Sequence, residues 1–480
     1  MSKRRITCFV FRYMLAIAFL PSMLTAQHPE HQMPPQIPMK PMAMMMIDPL
    51  GVSMERMGSG TTWIPDAVPL PARHVMSGSW LLMLHGFAFM EYDKQGGSRG
   101  DDQFGSLNWA MLMASRDLLG GRFQARTMLS LDAATVTNRG YPLLLQSGET
   151  YRSQPLVDRQ HPHDFWMELA VMYERALSHD IGVTVYAAPS GEPALGPVAF
   201  MHRPSAMDNL DAPLSHHWQD ATHISFGVLT AGVFGRHWKL EGSAFNGREP
   251  NEERWGFDRL RLNSYSGRFT AHMDSNWVFA VGYGFLKSPE ALNPSESVHR
   301  LTASVLHGRK LGMDGQIATT LVWGANRHSG RTTHSVLAET EAVLDHSNTL
   351  LGRLELVQKT AGDLVLPTGP GGFAPDSMFT LAAASVGYIR EIVRTSKTTL
   401  GIGLQGTLNV LPIALDPIYG SRTPAGVMVF VRIRPLHGPH TMPNTSIHAI
   451  RHLDNDRLKV SVSLPSSFPP NCTVLARPTA

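Results

Sequence analysis

The sequence predicts an all-β protein, a transmembrane antiparallel β-barrel of about sixteen strands with long extracellular loops. Three observations predict it. Period-two alternation recurs in runs of roughly ten residues from Gly78 to Pro435. The connections between those runs alternate between tight and long. The N-terminus carries the pattern of an export signal.

The export signal comes first. "MSKRRITCFVFRYMLAIAFLPSMLTAQ" has a basic start (Lys3, Arg4, Arg5), an apolar run from Thr7 to Leu20 and a small residue at Ala26. This reads as a secretory signal over residues 1–26, cut after Ala26. Arg12 interrupts the run and Pro21 ends it, which speaks against a permanent anchor. Cys8 leaves with the signal and Cys472 remains, so no disulfide framework is expected. No later apolar stretch reaches the ~20 residues that a membrane helix needs.

Residues 27–77 read as a Met/Pro/His-rich periplasmic arm and linker. The segment up to about Gly58 holds Met33, Met39, Met42, Met44, Met45, Met46, Met54 and Met57, with His28 and His31 ahead of them. Its prolines exclude a packed helix, and disorder is expected. Thioethers are soft ligands that select Cu(I), and imidazole adds affinity for Cu(II). The arm therefore reads as a copper-gathering segment, with His28, His31, Met33, Met39, Met42, Met44, Met45 and Met46 as candidate ligands. The alternative is a plain linker.

The barrel itself is expected over 78–435. Its alternating runs fall at 79–92, 106–115, 121–132, 165–177, 181–189, 221–235, 237–247, 259–273, 275–287, 298–308, 314–326, 334–344, 349–360, 378–392, 399–412 and 426–435. Turns such as "SHD", "GRH", "MDS" and "RTSK" fall on one side of the series. Longer loops at about 93–105, 133–164, 190–220, 248–258, 288–297, 327–333, 361–377 and 413–425 fall on the other. One strand face carries Leu, Val, Phe and Ala, and the other Arg, Glu, Gln, Thr and Ser, which suits a wet lumen. Arg259, Arg261 and Arg268 need such a lumen or an interface, and Trp80, Trp109, Trp166, Trp238 and Trp277 suggest interfacial girdles. A large soluble sandwich is the competing reading. Residues 436–480 follow the last strand and are expected to form a disordered tail.

The two longest loops hold the densest His/Asp groups. "VDRQHPHDFW" supplies His161, His163 and Asp164, and the 190–220 loop with its exit supplies His202, His216, His217, Asp220 and His223. On a helical turn His216, Asp220 and His223 would share a face; on a strand His217 and His223 would alternate with apolar neighbours. Either could bring these residues to one divalent ion, since imidazole with carboxylate suits Zn, Cu, Fe or Ni. The plainer reading is a hydrogen-bonded brace between loops, with Arg159 and Arg203 pairing Asp158, Asp208 or Asp211. Catalysis is disfavoured, because there is no G-x-S-x-G and no Ser–His–acid context. A net charge of +3 with 17% charged residues gives no field for nucleic acid.

"LVDRQHPHDFWMELAVMYERAL", "GEPALGPVAFMHRPSA" and "LSHHWQDATHISFGVLTAGVF" resemble a family of Gram-negative outer-membrane barrels often met alongside copper and other heavy-metal efflux systems. The resemblance spans about Trp80 to Pro435, and the family has no settled activity to carry over. The Met/His arm is similar in kind to that of the copper-resistance protein B family, although the core motifs do not match it. The resemblance implies an outer-membrane barrel; the ligand chemistry of the arm and loops adds a role in metal (copper) tolerance or passage, and the missing catalytic motifs a non-enzymatic one. Its expected partners are outer-membrane lipid and periplasmic metal-efflux components. The alternative is a general or substrate-specific porin with no metal role.

Overall fold

The computed structural model describes residues 46–435 and a short hairpin in which Ile450–Asp454 pairs with Arg457–Ser461. That hairpin departs from the expected structureless tail. The signal at 1–26 and the arm up to Met45 lie outside the described residues.

In chain order the strands are β1 (Ala72–Ser77), β2 (Trp80–Gln95), β3 (Asp102–Gly105), β4 (Asn108–Leu118), β5 (Gly121–Leu129), β6 (Tyr141–Tyr151), β7 (Gln154–Gln160), β8 (Trp166–Ala176), β9 (Gly182–Gly191) and β10 (Ser225–Phe234). They continue as β11 (Trp238–Phe245), β12 (Ser264–His272), β13 (Trp277–Lys287), β14 (Ser297–Leu311), β15 (Gly315–His328), β16 (Arg331–Val343), β17 (Asn348–Thr360), β18 (Met378–Arg394), β19 (Thr398–Val410) and β20 (Ala425–Pro435). All except β6 and β7 form one 18-stranded antiparallel sheet. Within it β1 and β3 share the two edges of β2 with β20 and β4, leaving a closed barrel of 16 staves. Closure runs through β2 and β20, from Ala88↔Ile433 to Gln95↔Gly426. Each of the sixteen alternating runs in the sequence falls on one stave.

The wall sorts its residues by parity, as a strand's two faces require. On β17, Leu350, Leu354 and Leu356 are exposed outward, while Thr349, Arg353 and Glu355 are buried inward. On β18, Val386 and Tyr388 face out. Trp238 and Trp277 lie on the outer face beside the short turns, as a girdle would. Trp109 does not: it is buried in the lumen against His202.

Several expected boundaries shift. The 327–333 connection is not a long loop but a two-residue turn, Ser329–Gly330, both at positive φ (49° and 78°), the backbone that suits a tight hairpin. The strand placed at 259–273 starts at Ser264, so Arg259 and Arg261 are exposed ahead of it and only Arg268 reaches the lumen. Within 133–164 the chain forms the β6–β7 hairpin, a sheet of its own. The linker up to residue 77 is also structured. β1 pairs with β2, and residues 46–71 enter the barrel from the short-turn end.

There the Gly60 carbonyl accepts from Arg126 (2.7 Å), the Thr61 carbonyl from Lys239, and Thr61 Oγ1 from Arg268 (2.9 Å). Met46 packs on Leu81. Disorder was expected up to about Gly58, but there Arg56 pairs with Asp66 (2.6 Å) and donates to the Arg236 carbonyl (2.6 Å), and just beyond, Gly60 and Thr61 find lumenal cations, which offsets the entropy of ordering the segment.

An outward-facing mid-strand position tests the lipid-facing wall. Leu354→Arg is expected to cost about 2–4 kcal/mol in urea unfolding from phospholipid bilayers, against about 0–1 for Met313→Arg at a turn. Equal costs would contradict a lipid-facing wall.

Candidate functional site

Between β9 and β10 the chain turns into the barrel, and every residue from 190 to 220 is buried. Pro193, Pro197, Pro204 and Pro213 deny this stretch a ladder of its own. Gly196 (φ 81°) lets the backbone pass Gln219, whose carbonyl would stand 2.3 Å from any Cβ placed there.

With no sheet to join, the loop is tied down by side chains of the wall. Arg203, fully buried, pairs with Asp220 (2.8 Å) and with Glu339 on β16 (2.6 Å), and Glu339 is also held by Arg353 on β17 (3.1 Å). Asp208 pairs with Arg432 and with Arg434 (3.2 Å) on β20. Ser215 donates to Glu355 (2.8 Å), and the Trp218 indole donates to Thr333 (2.8 Å). The partners named from sequence were wrong for the arginines. Arg203 takes Asp220 and Glu339, Arg159 takes Asp101 (2.7 Å), and Asp158 takes Arg99 (2.6 Å).

The histidines of the two loops meet here. His216–Gln219 forms one helical turn, so His216 Nδ1 reaches Asp220 across i,i+4 at 2.7 Å; the helical placement holds and the strand placement does not. Ring centroids run from His217 to His216 (5.4 Å), from His216 to His223 (5.1 Å) and from His223 to His163 (5.6 Å), with His161 beside His216 and His217. His202 stands apart, packed on Trp109 (4.7 Å) and His85 (5.5 Å). Asp164 serves Arg254 (3.1 Å) instead of an imidazole. Most of the cluster has acid partners: His161 with Glu149 (3.3 Å), His163 with Asp132 (2.7 Å) and His217 with Glu249 (2.7 Å). His28, His31, Met33, Met39, Met42, Met44 and Met45 lie outside the described residues.

Above the cluster a vestibule of about 550 Å³ opens at the long-loop end, walled in part by His217, Glu290, Arg300 and Asp363. His217, Glu249 and Glu290 each offer a ligand atom within 4.8 Å of the others, and among the described residues they form the one such group. Neither glutamate stands out in the sequence. Both come from loops whose approach to His217 depends on barrel curvature.

Burial lowers these imidazoles, to about 4 for His217 and about 3 for His223, with His161, His202 and His216 also below their ordinary value. Burial alone would raise Asp220, but the Arg203 guanidinium and His216 hold it well below the usual carboxylate range. Glu290 is pushed up to about 8, first by facing Glu249 and then by burial.

No protein-family model matches the chain, and no curated protein matches it in sequence. Similar solved structures include outer-membrane OmpT of Vibrio cholerae, at 7% identity and TM-score 0.43 over 75% of this chain and 100% of that one. OmpF of Salmonella typhi in complex with daunomycin has 10% identity and TM-score 0.43, over 75% and 100%. OprB of Pseudomonas putida has 12% identity and TM-score 0.42, over 74% and 94%. The chain's own ladder, its apolar outer wall and its charged interior define its class. It is a closed 16-stave β-barrel of the Gram-negative outer membrane, with the loop between β9 and β10 folded inward.

Two outcomes follow. Arg203→Met leaves Asp220 buried beside a neutral imidazole and is expected to cost about 3–5 kcal/mol, read as earlier unfolding and faster hydrogen exchange over 198–223. The pH response follows from the lowered imidazoles. Their released forms titrate near 6.5 and bind protons that the packed forms refuse, so stability is present above pH 6.5 and falls on acidification, by at most about 1.4 kcal/mol per imidazole per pH unit. Exchange over the loop, corrected for intrinsic rates, should therefore speed up from pH 7 to 5. The His217→Gln/His223→Gln pair should lose much of that response, and an unchanged slope would contradict the assignment.

Proposed function

We propose that this protein passes metal cations, copper ions foremost, across the outer membrane, with the inward-folded His/Asp loop as its selective constriction. The observation that carries the reading is the arrangement at the foot of the vestibule. The vestibule reaches His217, behind which His216 and His223 follow in ring contact, and the Nε2 atoms of all three have no hydrogen-bond partner among the described residues. A buried nitrogen left so costs about 1–3 kcal/mol, and a cation taking its lone pair removes that cost. The Met/His arm that includes His28, His31 and Met33 fits the same reading as an ion collector facing periplasmic efflux components. The role is passage, with no catalysis assigned.

The second reading is a porin with no metal role, and the acid partners of His161, His163, His216 and His217 favour it, since paired imidazoles brace loops well without an ion. Planar-bilayer recording and metal analysis separate the two. The metal reading expects small cation-selective conductance steps, negligible liposome swelling with neutral sugars, and purified protein that retains copper. Changing His161, His163, His216 and His217 to Ala should at least halve the retained copper. Rapid sugar entry by a protein that takes up no metal would leave the porin.

A further inference from the structure

Two small lumenal cavities lie below the histidine cluster, and both are lined by sulfur and imidazole. The upper one, about 10 Å³, has Met111, Met128, Met201, His202 and His223 on its wall, together with Glu168 and Glu192. The lower one, about 20 Å³, has Met54, Met57, Met83, Met113 and His85 around it. Met111 and His202 belong to both walls, so the two cavities adjoin.

Upward, His223 leads through His216 to His217 on the vestibule wall. Downward, Met54 and Met57 lie on the partly exposed N-terminal segment at the short-turn end. Imidazole and thioether groups therefore succeed one another from the vestibule wall to the short-turn end.

One feature separates this line from ordinary packing. Met111 and Met113 face inward from β4 within an apolar cluster that also takes Phe87, Leu351 and Phe430 from other staves, so gap filling accounts for their place. Both ring nitrogens of the buried His202, however, lack a hydrogen-bond partner among the described residues, which packing does not explain.

We infer that this line is a relay for a soft monovalent cation of the Cu(I) or Ag(I) class, handed between thioether and imidazole ligands. The inference rests on the passage reading above and adds the class of ion and its route. Thioethers bind soft ions and offer nothing to Mg(II) or Ca(II), so the ligand type selects the cargo. Cavities of this size hold a bare ion or a single water, whereas a hydrated ion or a sugar is excluded.

The test uses full-length protein in liposomes, with Ag(I) as the probe because it is soft and does not change oxidation state. Wild type is compared with Met111→Leu/Met128→Leu/Met201→Leu, with Met111→Leu alone, and with His202→Gln. Met-to-Leu changes keep side-chain volume, so a packing role is barely disturbed. The N-terminal arm is the same in all four proteins, so any difference arises in the lumen. Heat-modifiable gel migration reports the folded barrel, and the single variants decide if the triple does not fold. The expected result is Ag(I) influx at least tenfold lower in the triple and His202 variants, fewer sulfur neighbours in the Ag(I) X-ray absorption signature of the triple, and no K⁺ influx through any of the four. Unchanged Ag(I) influx in folded variants overturns the relay and leaves the passage reading standing. Wild type that passes no Ag(I) overturns both.

Discussion

Every strand edge inside a bilayer must find a partner, because lipid offers none to a free N–H or C=O. In this chain that constraint is met at one seam. β2 accepts β20 along its upper half and β1 along its lower half, while β4 and β3 share its other edge. Once the ladder closes, parity does the rest. Alternate residues face lipid and must be apolar, and the others face a narrow interior where charge is tolerated if paired. The lumenal arginines Arg126, Arg268, Arg353 and Arg432 follow from this, each with a carboxylate within reach.

A charged interior of this kind would be wet and wide without filling. Two segments fill it, residues 46–71 from the short-turn end and the 190–224 loop from the other, and they meet where Ala199 N donates to Ser59 Oγ (2.9 Å). Each makes some bonds of its own, as Arg56 does to Asp66 and His216 to Asp220, and hands further polar groups to the wall. Buried ion pairs of this sort are weak evidence of net stability, but they fix register strongly. Arg203 bridging Asp220 and Glu339 sets the loop's depth, and Asp208 against Arg432 sets its rotation. The histidines are therefore held in position both by their own acid partners and by groups one contact further out, such as Arg203 and Glu339.

The alternation of "TLLGRLELVQKT" and its companions needs no tertiary information, because a period of two is local and the lipid-facing half must be apolar. That is why all sixteen staves were legible. The loops were legible only in composition. "VDRQHPHDFW" and "HHWQDATH" mark themselves by density of His and Asp, and the i,i+4 relation of His216 to Asp220 is again local. Their partners were not legible, since Glu249, Glu290, Glu339 and Arg432 arrive from loops or staves far along the chain. The N-terminal segment misled for a related reason. Its composition predicts disorder when the segment is read alone, and the lumenal cations that order it sit on β5, β11 and β12. Met111 and Met113 had a readable signal in their parity opposite Leu112, but apolar residues on both faces of a strand look like noise until closure shows which face is inside.

A filled lumen places contrary demands on passage. An interior with cavities of only about 10 and 20 Å³ is closed to bulk solute, yet on the proposed route ions must still enter a low-dielectric space and leave it again. A fixed charge strong enough to draw a cation in would also trap it, and here the carboxylates are mostly neutralised by their own arginines, as Glu168 is by Arg126 (2.9 Å). Neutral donors avoid the trap. Imidazole and thioether each repay part of an ion's lost hydration, and a row of similar donors gives similar wells with modest barriers between them. Lowered imidazole basicity serves the same end, because His217 and His223 keep their lone pairs at neutral pH and do not repel a cation with a proton of their own. Sealing by a braced loop and conduction along neutral ligands are thus compatible, whereas sealing and conduction along fixed charges would not be.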